Sequence, residues 1–138
     1  MTTETGLRRA LLAGCALALI GTVAELAIAR HTGSLVQWLP FLLTGAMLPA
    51  LIAFARWRGG WTRRLLRTAA VVLLLGGAFG VFEHLEHNAA FEAEIRPEAP
   101  SHEVWWEAVF GASPLLAPGI FGVAGLLAAA ATWRHRGL

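Results

Sequence analysis

The stretch that decides the fold runs from Leu65 to Asn88 and reads LLRTAAVVLLLGGAFGVFEHLEHN. Apart from Arg67, the part up to Phe82 carries no charged side chain. A helix of this length spans about 36 Å, enough to cross a bilayer core of about 30 Å. The stretch then ends on two glutamates and two histidines between residues 83 and 87. Since ionisable groups beside hydrocarbon usually face a bundle interior or a water-filled site, we predict a membrane helix with a functional end.

The composition of the whole chain also indicates a membrane protein. Of its 138 residues, 57% are hydrophobic and 14% are charged, against about 25% charged in soluble domains. Cys15 is the only cysteine, so one chain can form neither a disulfide nor a thiolate metal cage. The arginines that make the chain basic cluster beside apolar segments, which membrane topology explains, and we expect no nucleic-acid partner.

Four apolar segments have the length of membrane spans, and they cover residues 7–29, 35–55, 65–88 and 114–133. An acidic segment, 89–112, separates the last two. Within it Ser101 fits a helix N-cap, and Val104 and Ala108 begin an apolar stripe, which predicts a short helix at the membrane surface. We therefore predict a single all-α domain over residues 1–138, a bundle of four transmembrane helices with a short interfacial helix on its outer face.

The arginines orient this bundle. Nine of the eleven fall on one side of the four-span arrangement, namely Arg8, Arg9, Arg56, Arg58, Arg63, Arg64, Arg67, Arg134 and Arg136. The positive-inside rule makes that side cytoplasmic, together with both termini. We expect a multi-pass protein of a bacterial inner membrane, whose partners are the lipid bilayer and, at the arginines, anionic lipid heads.

Two stripes of small residues recur at helical spacing and end on polar side chains. One consists of Gly14, Ala18 and Gly21 and ends at Glu25; the other consists of Gly76 and Gly80 and ends at His84 and Asn88. Small residues at this spacing let helix backbones approach closely. We therefore expect the first and third spans to pack together along these seams, which would bring Glu25 close to His84.

Five ionisable residues near the predicted outer face are candidate metal ligands: Glu25, His31, Glu83, His84 and His87. Imidazole nitrogen and carboxylate oxygen suit Zn, Fe, Cu or Mn. The Glu-His-Leu-Glu-His order differs from the His-Glu-x-x-His spacing of zinc proteases, so the pattern does not specify a metal. The leading hypothesis is an outer-leaflet Glu/His site that binds a metal ion or relays protons.

Other interpretations stay open. Glu25 and His84 can form an interhelical hydrogen-bonded pair in a structural or accessory subunit of a larger membrane complex. A small homo-oligomeric transporter or channel is a further alternative, because one four-helix bundle is too small to enclose a transport path. No Ser/His/Asp set or phosphate-cradling glycine loop is present in the sequence, so we favour a non-catalytic protein.

Two groups of residues carry a resemblance to a known family. The first is Val23-Ala24-Glu25-Leu26 with His31-Thr32 and Gln37; the second is Gly80-Val81, His84, Asn88, Phe91-Glu92, Trp106-Glu107 and Pro114 to Gly119. Together they resemble an uncharacterised family of small four-span bacterial membrane proteins. That family commonly has an Arg-Gly pair where this chain has Glu86-His87. The resemblance implies the four-span architecture and no particular reaction.

Overall fold

The computed structural model describes residues 3–133, and all regular secondary structure within this range is helical. The helices are α1 (Thr3–Ile28), a 3-10 turn (Val36–Trp38), α2 (Leu39–Arg56), α3 (Gly60–Ile95), α4 (Ser101–Ala108) and α5 (Leu116–Ala131). The predicted all-α class is confirmed, and three helices, residues 3–28, 36–56 and 60–95, are long and apolar enough to cross a membrane. The fourth apolar helix, α5, has 16 residues and rises only about 24 Å.

The four apolar helices form a ring in the order α1, α2, α3, α5, because each of these packs against the next and α5 closes on α1. The start of α1, the start of α3 and the end of α5 meet at one end of the bundle, which we call the arginine end. The opposite end is the cavity end. A core of fully buried side chains, including Leu19, Met47, Phe54, Leu73 and Phe121, fills the centre between the four helices.

The prediction that α1 and α3 pack along their small-residue stripes is wrong, because these two helices lie on a diagonal of the ring. A β-carbon at Gly80 would lie 2.7 Å from Pro118 of α5, and one at Gly76 would collide with Leu43 of α2. On α1, Gly14 faces Leu127 of α5, whereas no atom would lie within 4 Å of a β-carbon at Gly21. Gly14, Gly76 and Gly80 thus pack on neighbouring helices rather than on each other, and Gly21 packs on none.

Two glycines outside the predicted seams let the backbones of two helices approach closely. A β-carbon at Gly77 would lie 2.9 Å from the backbone nitrogen of Gly122, and one at Gly125 would lie 3.0 Å from the carbonyl oxygen of Ala70. Both contacts join α3 to α5. Since backbone atoms cannot give way as a flexible side chain can, these two glycines set the distance between the helices.

The segment 89–112, predicted to be an acidic loop, is mostly helical. Residues 89–95 continue α3 without a break, because this alanine- and glutamate-rich run has good helix formers and the first proline comes at Pro97. Helix α4 begins after Pro100, and Ser101 makes no side-chain cap. Its predicted apolar residues Val104 and Ala108 are buried against Ala89 of α3. The short helix therefore packs on the extension of α3.

Arginines from α1 and α3 hold the C-terminal end of α5. Arg8 donates from Nε to the carbonyl oxygen of Ala131 at 3.0 Å. Arg67 donates from Nε to the hydroxyl of Thr132 at 2.9 Å and from its guanidinium to the carbonyl oxygen of Thr132 at 3.1 Å. Cations at this position also complement the negative end of the helix dipole. Two of the nine clustered arginines thus stabilise a helix end. Arg134 and Arg136, predicted to lie at the same end, are outside the described residues.

Candidate functional site

A cavity of about 630 Å³ lies at the cavity end of the bundle, between the diagonal helices α1 and α3. Its walls come from the end of α1, the loop before α2, the start of α2, residues 76–87 of α3 and the start of α5. All five residues predicted as candidate ligands line it: Glu25, His31, Glu83, His84 and His87. The structure therefore brings together residues that are up to 62 positions apart in the sequence.

Helical periodicity explains why Glu25 faces this space. Thr22, Glu25, Leu26 and Ala29 are the α1 residues that line the cavity, and their spacing of three or four places them on one face of the helix. The carboxylate sits within the last turn of α1, one turn before the helix stops. It is accessible from the cavity and, within residues 3–133, has neither an ion pair nor a side-chain hydrogen bond.

A tight stop at the end of α1 brings His31 back to the cavity rim. Arg30 adopts a left-handed conformation with φ 53°, His31 N donates to the carbonyl oxygen of Leu26 at 2.9 Å, and Arg30 N donates to that of Ala27 at 3.1 Å. This pair of bonds is the Schellman motif, which usually has glycine at the left-handed position. The following loop is held by Gln37, whose side-chain oxygen accepts from the backbone nitrogen of Gly33 at 2.6 Å.

One face of α3 supplies the opposite wall. Gly76, Gly80, Glu83 and His87 recur at intervals of four, three and four residues, and all of them line the cavity with the adjacent His84. Glu83 and His87, predicted as candidate ligands, are thus on the cavity face. Glu86 is exposed and lies outside the cavity lining.

His84 does not bond to Glu25. Its Nδ1 lies 3.0 Å from the carbonyl oxygen of Pro114, at the start of the last helix, and within the described chain no hydrogen bond or ion pair joins it to Glu25. A carbonyl oxygen can only accept, so Nδ1 carries the proton that is donated. In the neutral imidazole, Nε2 is then left as the nitrogen with a free lone pair. Glu25 and His84 therefore line the same cavity, but the predicted bond between them is not formed.

Asn88 has a role that the sequence did not reveal. Its side chain is 2% exposed, and its Nδ2 donates to the carbonyl oxygens of Ala108 and Ser113 at 2.9 Å each. Its Oδ1 accepts from Ser113 N, also at 2.9 Å. Asn88 therefore fixes the segment between α4 and α5, of which Ser113 lines the cavity. The available signal in the sequence was an asparagine directly after the Glu/His cluster at the end of a long apolar stretch, but its partners are 20 to 25 residues away.

The electrostatic character of the cavity is acidic. Two carboxylates and three imidazoles line it, and among the described lining residues there is no arginine or lysine. Most of the remaining wall is apolar, including Leu43, Phe79, Ile120 and Phe121. Within residues 3–133, no three His, Cys, Asp or Glu side chains are arranged to hold a metal ion.

No known protein family, curated protein or solved structure matches this chain. The resemblance to the four-span family, and the metal-binding and relay hypotheses, stay predictions.

Proposed function

We propose that this chain is a small membrane protein that binds a positively charged ligand in the Glu/His cavity. The observation that carries the proposal is the convergence of Glu25 and Glu83, from diagonal helices, on one cavity whose described lining has no fixed cation. Carboxylates beside apolar surroundings are costly unless a partner compensates their charge. Because neither glutamate has an ion-pair partner in the described part of the chain, a bound cation is the natural counter-charge.

The rest of the bundle favours binding over conduction. Between Arg9 and Glu25, α1 has one ionisable residue, Cys15, and between Arg67 and Glu83, α3 has none. Packed apolar side chains such as Leu19, Met47 and Leu73 fill the space that a relay would have to cross. A proton relay needs titratable groups or water along its path, so a site that opens only at the cavity end suits this arrangement better.

The membrane arrangement that we propose is the four-span bundle, with the arginine end cytoplasmic and the cavity end on the outer side of a bacterial inner membrane. The arginines clustered at one end of the helices support this orientation. The short α5 can complete the bundle because side chains hold the chain at both of its ends: His84 and Asn88 bond to Pro114 and Ser113 just before its start, and Arg8 and Arg67 bond to Ala131 and Thr132 at its finish. Backbone groups at membrane depth require such partners.

A divalent transition metal, Zn, Fe, Cu or Mn, is the second candidate ligand. The observation that favours it is the bond from His84 Nδ1 to the Pro114 carbonyl, because metal-binding histidines usually donate their other nitrogen to a carbonyl or carboxylate. The five lining residues supply suitable donor atoms, and binding requires His31, Glu83 or His87 to move closer to His84.

The test is equilibrium binding to the full-length protein in nanodiscs of neutral phosphatidylcholine, with Zn²⁺ and benzyltrimethylammonium as separate probes. We expect the wild type to bind at least one of them stoichiometrically and the double variant E25Q/E83Q to lose that binding. The matched control is Glu86→Gln, which removes a charge from the same helix outside the cavity. Absence of binding to the folded wild type, or equal binding to the double variant, would refute the proposal.

A further inference from the structure

We infer that the ligand of this cavity is an organic cation with an apolar, aromatic-sized body, such as a substituted amine, rather than a bare metal ion. This inference rests on the proposed cation site and specifies its ligand. It depends on three features of the cavity: its size, the nature of its walls and the separation of its charges.

The size fits a small molecule. The cavity is open on one side and has a volume of about 630 Å³, within the range of about 300 to 1,000 Å³ typical of small-molecule sites. A metal ion instead needs three or four donor atoms about 2 Å from one point. No such group of His, Cys, Asp or Glu residues occurs within the described range 3–133. A molecule that spans the cavity can contact both walls without bringing them together.

The walls are suited to an apolar body. Leu26, Leu43 and Ile120 line the cavity with two phenylalanines, Phe79 from α3 and Phe121 from α5. Aromatic faces attract organic cations through the ring quadrupole, and the attraction grows when the site excludes water. Burial of apolar surface adds affinity in proportion to the area removed from water. A hydrated inorganic ion gains nothing from these walls.

The polar groups are suited to hold the charged end. Glu25 lies on α1 and Glu83 on α3, so carboxylates flank the space from opposite sides. His84, held through Nδ1, keeps a free Nε2 lone pair, whose partial negative charge attracts a cation even when the cation has no N–H to donate. The site thus attracts the charged end of the ligand from both walls.

The experiment measures dissociation constants by calorimetry on the full chain in phosphatidylcholine nanodiscs, in phosphate-free buffer at neutral pH. The four probes are benzyltrimethylammonium, tetramethylammonium, benzyl alcohol and Zn²⁺. We expect benzyltrimethylammonium to bind at least about tenfold more tightly than tetramethylammonium, which carries only the charge, or benzyl alcohol, which carries only the ring. Glu25→Gln and Glu83→Gln should each weaken it about tenfold, and Glu86→Gln should leave it unchanged.

A second variant separates the aromatic contribution from folding. Phe79→Leu keeps apolar bulk and removes the ring, and we expect about threefold weaker benzyltrimethylammonium binding with unchanged Zn²⁺ binding. Stoichiometric Zn²⁺ binding without benzyltrimethylammonium binding would overturn this inference and leave the proposed function standing. Benzyl alcohol binding as tightly as the cation, or no probe binding to folded protein, would overturn both.

Discussion

Asn88 pairs with the backbone of Ser113 through two hydrogen bonds of 2.9 Å, one donated by its Nδ2 and one accepted by its Oδ1. A third bond, to the carbonyl oxygen of Ala108, ties the same amide to the end of α4. The side chain thus acts as an inserted peptide group that satisfies three backbone groups between α4 and α5. Because Ser113 lines the cavity and Pro114 accepts from His84, this one residue of α3 holds the α5 side of the candidate site in place.

Replacement of Asn88 by alanine should therefore destabilise the protein strongly. It leaves the part-buried N–H and carbonyl of Ser113 without their partners, each at a cost of about 1 to 3 kcal/mol, whereas the carbonyl of Ala108 keeps its bond from Gly111 N at 3.3 Å. We expect a total loss of about 2 to 4 kcal/mol in the free energy of unfolding, measured by SDS titration in mixed micelles.

The matched control for Asn88 is Gln37→Ala. Gln37 is the other side-chain amide in the chain, and its oxygen accepts a single bond from Gly33 in an exposed loop. We expect a loss below about 1 kcal/mol there. Equal effects at the two positions would show that the Asn88 bonds contribute no special stability.

Gly77→Ala should disturb the α3–α5 packing. The added β-carbon would lie 2.9 Å from the backbone nitrogen of Gly122, so the helices must separate. We expect a loss of about 1 to 3 kcal/mol in unfolding free energy. Gly21→Ala provides the contrast, because its β-carbon meets nothing within 4 Å and alanine is the better helix former. We expect Gly21→Ala to leave the unfolding free energy unchanged or to raise it. A loss equal to that of Gly77→Ala would instead support the predicted packing seam on α1.

Arg67→Ala should loosen the end of α5. It removes two bonds to Thr132, and because the arginine is exposed we expect a loss of only about 1 kcal/mol. Amide hydrogen exchange should show faster exchange in the last turn of α5, around Ala131, with little change in α2. The control is Arg64→Ala, which removes another exposed arginine about one turn earlier on α3. If both variants exchange alike, the capping bond has no measurable effect.

The tautomer of His84 can be read directly. Because Nδ1 donates to the Pro114 carbonyl, nitrogen-15 NMR at a pH where the ring is neutral should show a protonated Nδ1 and an unprotonated Nε2. His87, exposed and without a hydrogen-bond partner among the described residues, should show the mixture typical of free imidazole. A protonated Nε2 at His84 would contradict the contact with Pro114.

The residues of the candidate site could be predicted from the sequence, but not their relationship. Glu25, Glu83 and the histidines stand out because ionisable groups beside long apolar runs are costly. Their position at one end of the bundle follows from counting residues along helices that alternate in direction, since α1 and α3 then end on the same side. Periodicity could not predict which neighbouring helix each helix face contacts. Gly76 and Gly80 have the spacing of a packing seam whichever helix they meet. Direct Glu25–His84 contact was therefore a wrong inference from a correctly recognised pattern.

The sequence by itself determined that this chain is helical, apolar in long segments and polar at defined ends, because those properties depend on residue type and spacing. It also determined which ionisable residues lie together at the cavity end. Only the tertiary structure decided that α1 and α3 are diagonal, that His84 bonds to Pro114, and that Asn88 binds the chain beyond α4. The physical reason is that the order of helices around a bundle depends on the sum of many close contacts between distant segments. The result is a space between Glu25 and His84 rather than a bond.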